Sequence, residues 1–391
     1  MPGDDPSFGA GQGGPAASGS GAPRIITRKE IRKAKRRRRT RWYVLAVVVV
    51  LLAGTATGVV LTHDKHGAAP SAAAGASPAP SAACPLTGVP SPSRSVPARP
   101  ALAVKIGNYT GDRPSTGLNQ ADIVFEEPVE GGITRLVAVF QCQSPALVGD
   151  VRSAREPDVA ILSQLSNPIF AHVGGIQPVI NLLAGAPLID KNLYYNSSGG
   201  STIIVKSGRV APYSSFVNTS TLWGLDSSDV TPPAPIFTYS TGLPAGSVPG
   251  SGASVHIPFS STSDVTWTWS APVSKYLRSY SGEPDVLLDG TQTAATNVVI
   301  MSVQTFQGPW LENDVGGYEV EVTATGSGPL VVMRNGVAIS GTWTRPNVNQ
   351  PAALTTTGGT PIALQPGNTW IELVPDGITV TPSAAPSSPS S

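Results

Sequence analysis

Histidine and cysteine are scarce in this 391-residue chain, which holds four of the first and two of the second. That supply argues against a histidine metal centre, and two isolated cysteines with no histidine cluster beside them do not make a zinc site. A Ser-His-Asp triad would have to use His172 or His256, and no Gly-x-Ser-x-Gly elbow supports one. No repeat of fixed period runs through the chain. Neither a cofactor nor a metal is expected. Charged residues are few as well, at 13%, and they are unevenly placed. Residues 1–42 carry 11 Lys/Arg against 3 Asp/Glu, a net +8, and the remainder carries 15 against 22, a net −7. The acidic remainder leaves no electrostatic footprint for nucleic acid.

One stretch lacks charge altogether. Residues 43–62 contain no charged side chain and follow the run Arg36-Arg37-Arg38-Arg39-Thr40-Arg41. About 20 residues at about 1.5 Å rise give about 30 Å, the thickness of a bilayer's hydrocarbon core. Arg and Lys resist translocation. The expectation is therefore a cell-membrane protein with one transmembrane helix, its N-terminus cytoplasmic and its C-terminal part extracytoplasmic. A cleaved signal peptide is the competing reading, although its apolar region is usually shorter. Arginines held at the inner leaflet set topology and attract anionic lipid rather than nucleic acid.

The expected order is a disordered basic tail (1–42), the helix (43–62), a Pro/Ala/Ser linker (63–83), an α/β domain (84–235), a β-rich domain (236–380) and a disordered tail (381–391). Cys84 sits where the linker meets the fold, and Cys142 ends an apolar strand. Outside the cytoplasm a disulfide can persist. Bridged, the pair closes a loop of about 58 residues and contributes about 4 kcal/mol by chain entropy. Two unpaired thiols are the alternative.

In the first half, residues 101–106, 121–127, 133–141 and 169–173 read as strands. Glu156-Pro157-Asp158 opens a capped helix that continues through Leu165, and residues 179–184 add a helical turn or two. That is an α/β pattern. From about Ser251 short strands separated by Gly, Pro, Asp and Asn turns read as antiparallel β. Asn335-Gly336, between two apolar runs, is a strong hairpin signal. The fold class expected is thus a mixed α/β region followed by an antiparallel β-rich one, after a single transmembrane helix.

Polar residues concentrate in the segment from Phe125 to Arg135, where Glu126, Glu127 and Glu130 precede Arg135 around Pro128, Gly131 and Gly132. A hairpin there brings Glu126 or Glu127 close to Arg135. Arg152 and Arg155 follow just before the capped helix. Planar guanidinium groups suit bidentate recognition of carboxylate or phosphate. Three readings are open. The cluster is a pocket for an anionic cell-wall component or partner, or it supplies an acid/base pair for glycan cleavage, or it is an ion network that satisfies itself. His172, before Gly174 and Gly175 at a strand end, occupies a favourable site position in an α/β sheet, or it is an ordinary hydrogen-bonded histidine.

These residues carry a resemblance. Gly117-Leu118-Asn119-Gln120-Ala121-Asp122-Ile123-Val124-Phe125-Glu126, Glu130-Gly131-Gly132-Ile133-Thr134-Arg135, Val151-Arg152-Ser153-Ala154-Arg155 and His172-Val173-Gly174-Gly175 resemble motifs of the YerB-like family of bacterial envelope proteins, whose function is unknown. Gly341-Thr342-Trp343-Thr344-Arg345 and Gly367-Asn368-Thr369-Trp370-Ile371 are similar to the family's C-terminal region. Ala211-Pro212-Tyr213 departs from the family's usual Ala-Pro-His. The resemblance implies an envelope location and a lipoprotein or membrane anchor. No apolar run directly precedes Cys84, so the transmembrane helix would replace the lipid. The resulting expectation is an extracytoplasmic protein that binds a cell-wall component or an envelope protein through Glu126, Glu130, Arg135, Arg152, Arg155 and His172. A cell-wall glycan-cleaving enzyme and a structural scaffold are the alternatives.

Overall fold

Alternation along the strands builds two hydrophobic layers on either side of one sheet. In the strand at Leu102–Gly107, Leu102, Val104 and Ile106 join one buried cluster, and Ala103 joins another with Ala101. A strand buried on both faces has no polar side to show. The computed structural model describes residues 81–194, 202–226, 228–312 and 317–385, which lie within a unit beginning at Ser77.

In chain order the first strands are β1 (Leu102–Gly107), β2 (Ile123–Pro128), β3 (Thr134–Phe140), β4 (Val148–Gly149), β5 (Ile169–His172), β6 (Ile189–Asn192), β7 (Ile204–Val205) and β8 (Ser215–Val217). The second half holds β9 (Ser254–Ser260), β10 (Ser263–Ser270), β11 (Lys275–Tyr280), β12 (Glu283–Pro284), β13 (Ala294–Ala295) and β14 (Asn297–Val303). It continues with β15 (Thr305–Leu311), β16 (Tyr318–Val322), β17 (Gly326–Arg334), β18 (Val337–Arg345), β19 (Ala353–Thr356), β20 (Thr369–Pro375) and β21 (Pro382–Ser383). Three short α-helices are described: α1 (Pro157–Leu162), α2 (Gln177–Ala184) and α3 (Thr219–Gly224).

Ten strands form one sheet in the order β19-β18-β17-β14-β20-β2-β3-β1-β5-β6. β20 lies at its centre, parallel to both β2 and β14, so the sheet takes strands from both halves of the sequence. A second sheet, β12-β11-β10-β9-β21 with β13 against β11, covers one face. There Val255, Ile257, Val265, Trp267 and Tyr276 pack on Val124, Leu136, Ala138 and Trp370. The rings of Trp267 and Trp370 meet edge to face at 5.1 Å, the arrangement favoured by aromatic quadrupoles. The other face is covered by α1 and α2 through Ile161, Leu162, Val179 and Leu183, with Val322 of β16.

Several expected elements are present within a residue or two. The Asn335-Gly336 turn joins β17 to β18 with both residues at positive φ, 51° and 71°, as a two-residue hairpin of matching twist requires. Pro157 starts α1, and Asp158 accepts from the Arg155 N–H at 2.7 Å. The expected bridge is also present: Cys84 and Cys142 form a disulfide with Cα atoms 6.0 Å apart.

The fold class is corrected. This is a mainly β protein rather than a mixed α/β region with a β-rich appendage. The runs 156–165 and 179–184 do become helices, but the α-helices have only six and eight residues, too short to form a helical layer. Most of one sheet face is covered by another sheet instead. The membrane-helix expectation is corrected as well. Among the described residues no helix is long and apolar enough to cross a membrane. Residues 43–62, on which that expectation rested, lie outside the described residues, as do 1–42 and most of the 63–83 linker.

Candidate functional site

β2 divides the expected cluster in two. Glu126 and Glu127 are neighbours in a strand, so the pleat sends them to opposite faces. Both are buried.

On the helix face, Glu127 pairs across the β2–β3 hairpin with Arg135 in backbone register, yet its carboxylate meets Lys105 of β1. Lys105 Nζ also donates to Asp158 Oδ1 at 2.7 Å. The hairpin turn itself needs Gly131 and Gly132, both left-handed at φ 74° and 71°. It places Glu130 against Arg155, whose Nε donates to Oε2 at 2.9 Å while Nη2 donates to Oε1. Arg155 Nη1 reaches Glu312, and Arg135 Nη2 lies 3.5 Å from Glu130. Burial alone would raise the Glu130 carboxyl. The Arg155 hydrogen bonds and the charges of Arg135 and Arg155 outweigh it and hold the group at about 2. Glu312 shows the opposite balance, pushed up to about 7 by burial despite Arg155. Glu156 also rises to about 7, through burial and then the charges of Glu321, Glu319 and Asp158.

Arg152 stands at the rim. Its Nη1 donates to Asp112 Oδ1 at 2.7 Å, its guanidinium lies 5.1 Å from the Tyr213 ring, and its side chain keeps 19% exposure. Arg155, by contrast, is 2% exposed. Asp150, nearby, accepts from the Ser215 N–H at 2.8 Å. Burial raises it to about 7, with the Asp112 charge adding to the rise.

Glu126 does not join this group. It lies between the two sheets, where Arg278 of β11 donates through Nη2 to Oε2 at 2.8 Å and Oε1 at 3.0 Å. Asn108 at 3.0 Å, Thr134 at 2.7 Å and Trp370 at 3.3 Å complete its donors. Arg278 Nη1 donates to Asp285 at 2.6 Å. Burial works against the Arg278 charge, but Glu126, Asp285 and Glu372 more than compensate and raise its pKa. Glu372, which accepts from Trp267 Nε1 at 2.6 Å, is pushed well up by burial and by the Glu126 charge.

His172 is fully buried at the end of β5. Its Nδ1 lies 2.7 Å from Gly174 O and its Nε2 2.8 Å from Asp190 Oδ1, with Phe170 stacked at 5.1 Å. Gly174 O also accepts from the Ala154 N–H at 3.0 Å. The ring therefore braces the loop beside Arg152–Arg155 rather than lining an opening.

Four of the six expected site residues are brought together: Glu130, Arg135, Arg152 and Arg155. His172 sits behind them, and Glu126 faces away. Sequence reading missed Lys105, Asp112, Asp158, Arg278, Asp285, Glu312 and Glu372. A signal existed for some of them. Lys105 and Glu372 are the single charges of their strands, Arg278 sits inside β11 among alternating buried residues, and a buried charge requires a partner. The partners lie far away in sequence, so the signal marks a need without saying what meets it. Among the described residues no group of three or more His, Cys, Asp or Glu is placed to hold a metal ion.

Fold and site together define a mainly β protein built on two principal sheets, closed by a disulfide and carrying buried ion networks on both faces of its main sheet. Two family models, described as the N-terminal and C-terminal domains of a protein of unknown function (DUF3048), match residues 86–230 and 255–371. Together they cover well over half of the chain, which belongs to this YerB-like family. A stretch of 90 residues is 48% identical to a protein of Bacillus subtilis (strain 168) named "Putative lipoprotein YerB". That match covers 23% of this chain and 27% of the relative, so it spans about a quarter of the relative's length. The crystal structure of the YerB protein from Bacillus subtilis superposes with a TM-score of 0.66 at 24% identity, over 77% of this chain and 99% of that one. At that identity the likeness is one of fold.

Proposed function

We propose that this protein is an extracytoplasmic component of the bacterial envelope that binds an anionic cell-wall group or the acidic surface of an envelope protein. Arg152 is the contact, and the remaining Glu–Arg network is the rigid support behind it. The observation that carries this reading is the unequal exposure of the three arginines. Arg155 spends its donors on Glu130, Glu312 and Ala154 O, and Arg135 spends its own on Glu130 and Ser153 O. Arg152 has one carboxylate partner and an open side. A guanidinium has five N–H donors, so one carboxylate leaves capacity for a second anion. Carboxylates clamped by guanidinium groups, with Glu126 and Glu127 on opposite sheet faces, favour binding over glycan cleavage. The disulfide supports an oxidising compartment. The Bacillus relative is named "Putative lipoprotein YerB". The Cys84 and Cys142 sulfurs, bonded to each other, are not available to a lipid thioether in this form.

The test compares Arg152→Ala with Arg155→Met in sedimentation with purified cell walls and with envelope membranes. Arg152→Ala is expected to lose retention while lowering the melting temperature less than Arg155→Met, because Asp112 keeps the Tyr109 N–H as a donor. Arg155→Met is expected to lose about 3–5 kcal/mol of stability, because it leaves buried carboxylates unpaired. Unchanged retention of Arg152→Ala on both materials refutes the proposal.

A further inference from the structure

A polar cleft at the opposite end of the β2–β3 hairpin has no role in the reading above. It opens where β2, β14 and β20 begin and β3 ends, and its volume is about 490 Å³, within the range of small-ligand sites. Its walls are fixed. Cys142 lines it and is tied to Cys84, and the Gly367 N–H donates to Thr87 O at 2.8 Å. Two lining amides are already committed. Asn119 accepts from the Ala294 N–H at 2.8 Å and donates to Gln292 O at 3.0 Å. Asn368 donates to Ala294 O at 2.8 Å and accepts from Thr296 at 3.1 Å.

Three lining groups are not committed. The Gln120 and Gln143 amides and the Lys275 ammonium make no side-chain hydrogen bond or ion pair among the described residues. Lys275 is half-buried, and burial lowers its pKa with no carboxylate opposing the shift. Asp122, the acid of the cleft, directs Oδ2 at the N–H groups of Gln141 and Cys142, at 2.6 and 3.3 Å. Burial pushes its carboxyl up to about 7, against those two hydrogen bonds and the Arg99 charge. A half-buried ammonium left without an anion is costly unless something supplies one.

We propose that this cleft binds the carboxylate end of a peptide, with Lys275 pairing the carboxylate and the Gln120 and Gln143 amides meeting the adjoining peptide groups. One lysine is a point charge that pairs with carboxylate or phosphate alike, so the choice rests on the amides beside it. Primary amides, each both donor and acceptor, match the peptide unit. The site is independent of Arg152, being at the other end of the hairpin.

The experiment uses the full-length protein with its lysines carrying ¹³C-methyl groups, so that the Lys275 resonance and its titration midpoint are read directly. The probes are N-acetylglycylglycine, its C-terminal amide and inorganic phosphate. The free acid is expected to shift the Lys275 signal saturably and to raise its titration midpoint, because a carboxylate stabilises the ammonium. The amide is expected to bind at least about tenfold more weakly. Gln143→Ala is expected to weaken the acid while leaving the free-protein midpoint unchanged. Lys275 unmoved by the acid, or moved equally by acid and amide, overturns the proposal. Phosphate binding more tightly than the acid overturns the assignment to a peptide.

Discussion

Arg278 offers the sharpest test of how the two sheets are held together. Its guanidinium is fully buried between them and bridges Glu126 of the central sheet to Asp285 beside β11. Arg278→Met keeps much of the volume and removes three N–H contacts to carboxylate oxygens, leaving two carboxylates in a medium that cannot hydrate them. Breaking one partner of a buried pair costs about 3–5 kcal/mol. At about 2–4 °C per kcal/mol for a domain of this size, the melting temperature falls by roughly 6–20 °C. Glu126 retains Asn108, Thr134 and Trp370 as donors, so the lower part of that range is expected. Glu126→Gln alone leaves Arg278 with Asp285 as its carboxylate partner and is expected to cost less than Arg278→Met. The double variant removes both charges and should cost less than the two single losses added, by at least about 1 kcal/mol of coupling. Calorimetry of the four proteins reads the cycle. Additive losses, or a single-variant loss below about 1 kcal/mol, refute the view that this pair is a buried contact joining the sheets.

Two further predictions concern pH and redox state. Glu130 sits at about 2 when folded, below its ordinary 4.5, so its contribution is present above pH 4.5 and lost as pH falls through about 2. Asp122, Glu156 and Glu312 sit at about 7, so theirs is present below pH 4 and lost as pH rises through about 7. The melting temperature should therefore peak near about pH 4 and fall on both sides, and a steady rise to about pH 8 contradicts these assignments. Reducing the Cys84–Cys142 bridge, which spans 58 residues, should cost about 4 kcal/mol by chain entropy, and unreduced mass spectrometry should show the linked peptides. An unchanged melting temperature with reductant, after confirmed reduction, counts against the bridge as a stabilising element.

Local features were legible because local physics decides them. Asn335-Gly336 can only be a tight turn between two apolar runs, and Pro157 followed by Asp158 opens a helix wherever the chain goes next. Gly131 and Gly132 marked the hairpin that carries Glu130. The concentration of Arg135, Arg152 and Arg155 was also visible, because those residues lie within one stretch of sequence.

What the sequence alone determined is therefore the strands, the turns, the pair of cysteines and the family. The tertiary structure decided which strands are neighbours. β20 is inserted beside β2 although some 240 residues separate them, and no periodicity encodes that choice, because strands buried on both faces look alike to any partner. The same non-local pairing decided the charges. A pleat of period two separated Glu126 from Glu127, but only the arrival of β11 gave Glu126 its arginine, and only the β15–β16 segment brought Glu312 to Arg155. Among those contacts the arginines hold Glu130 near 2 against its burial, while burial lifts Glu312 to about 7 despite Arg155. Two residues of one type differ that much because a carboxylate's affinity for its proton follows from what packs around it, and packing is a property of the whole fold.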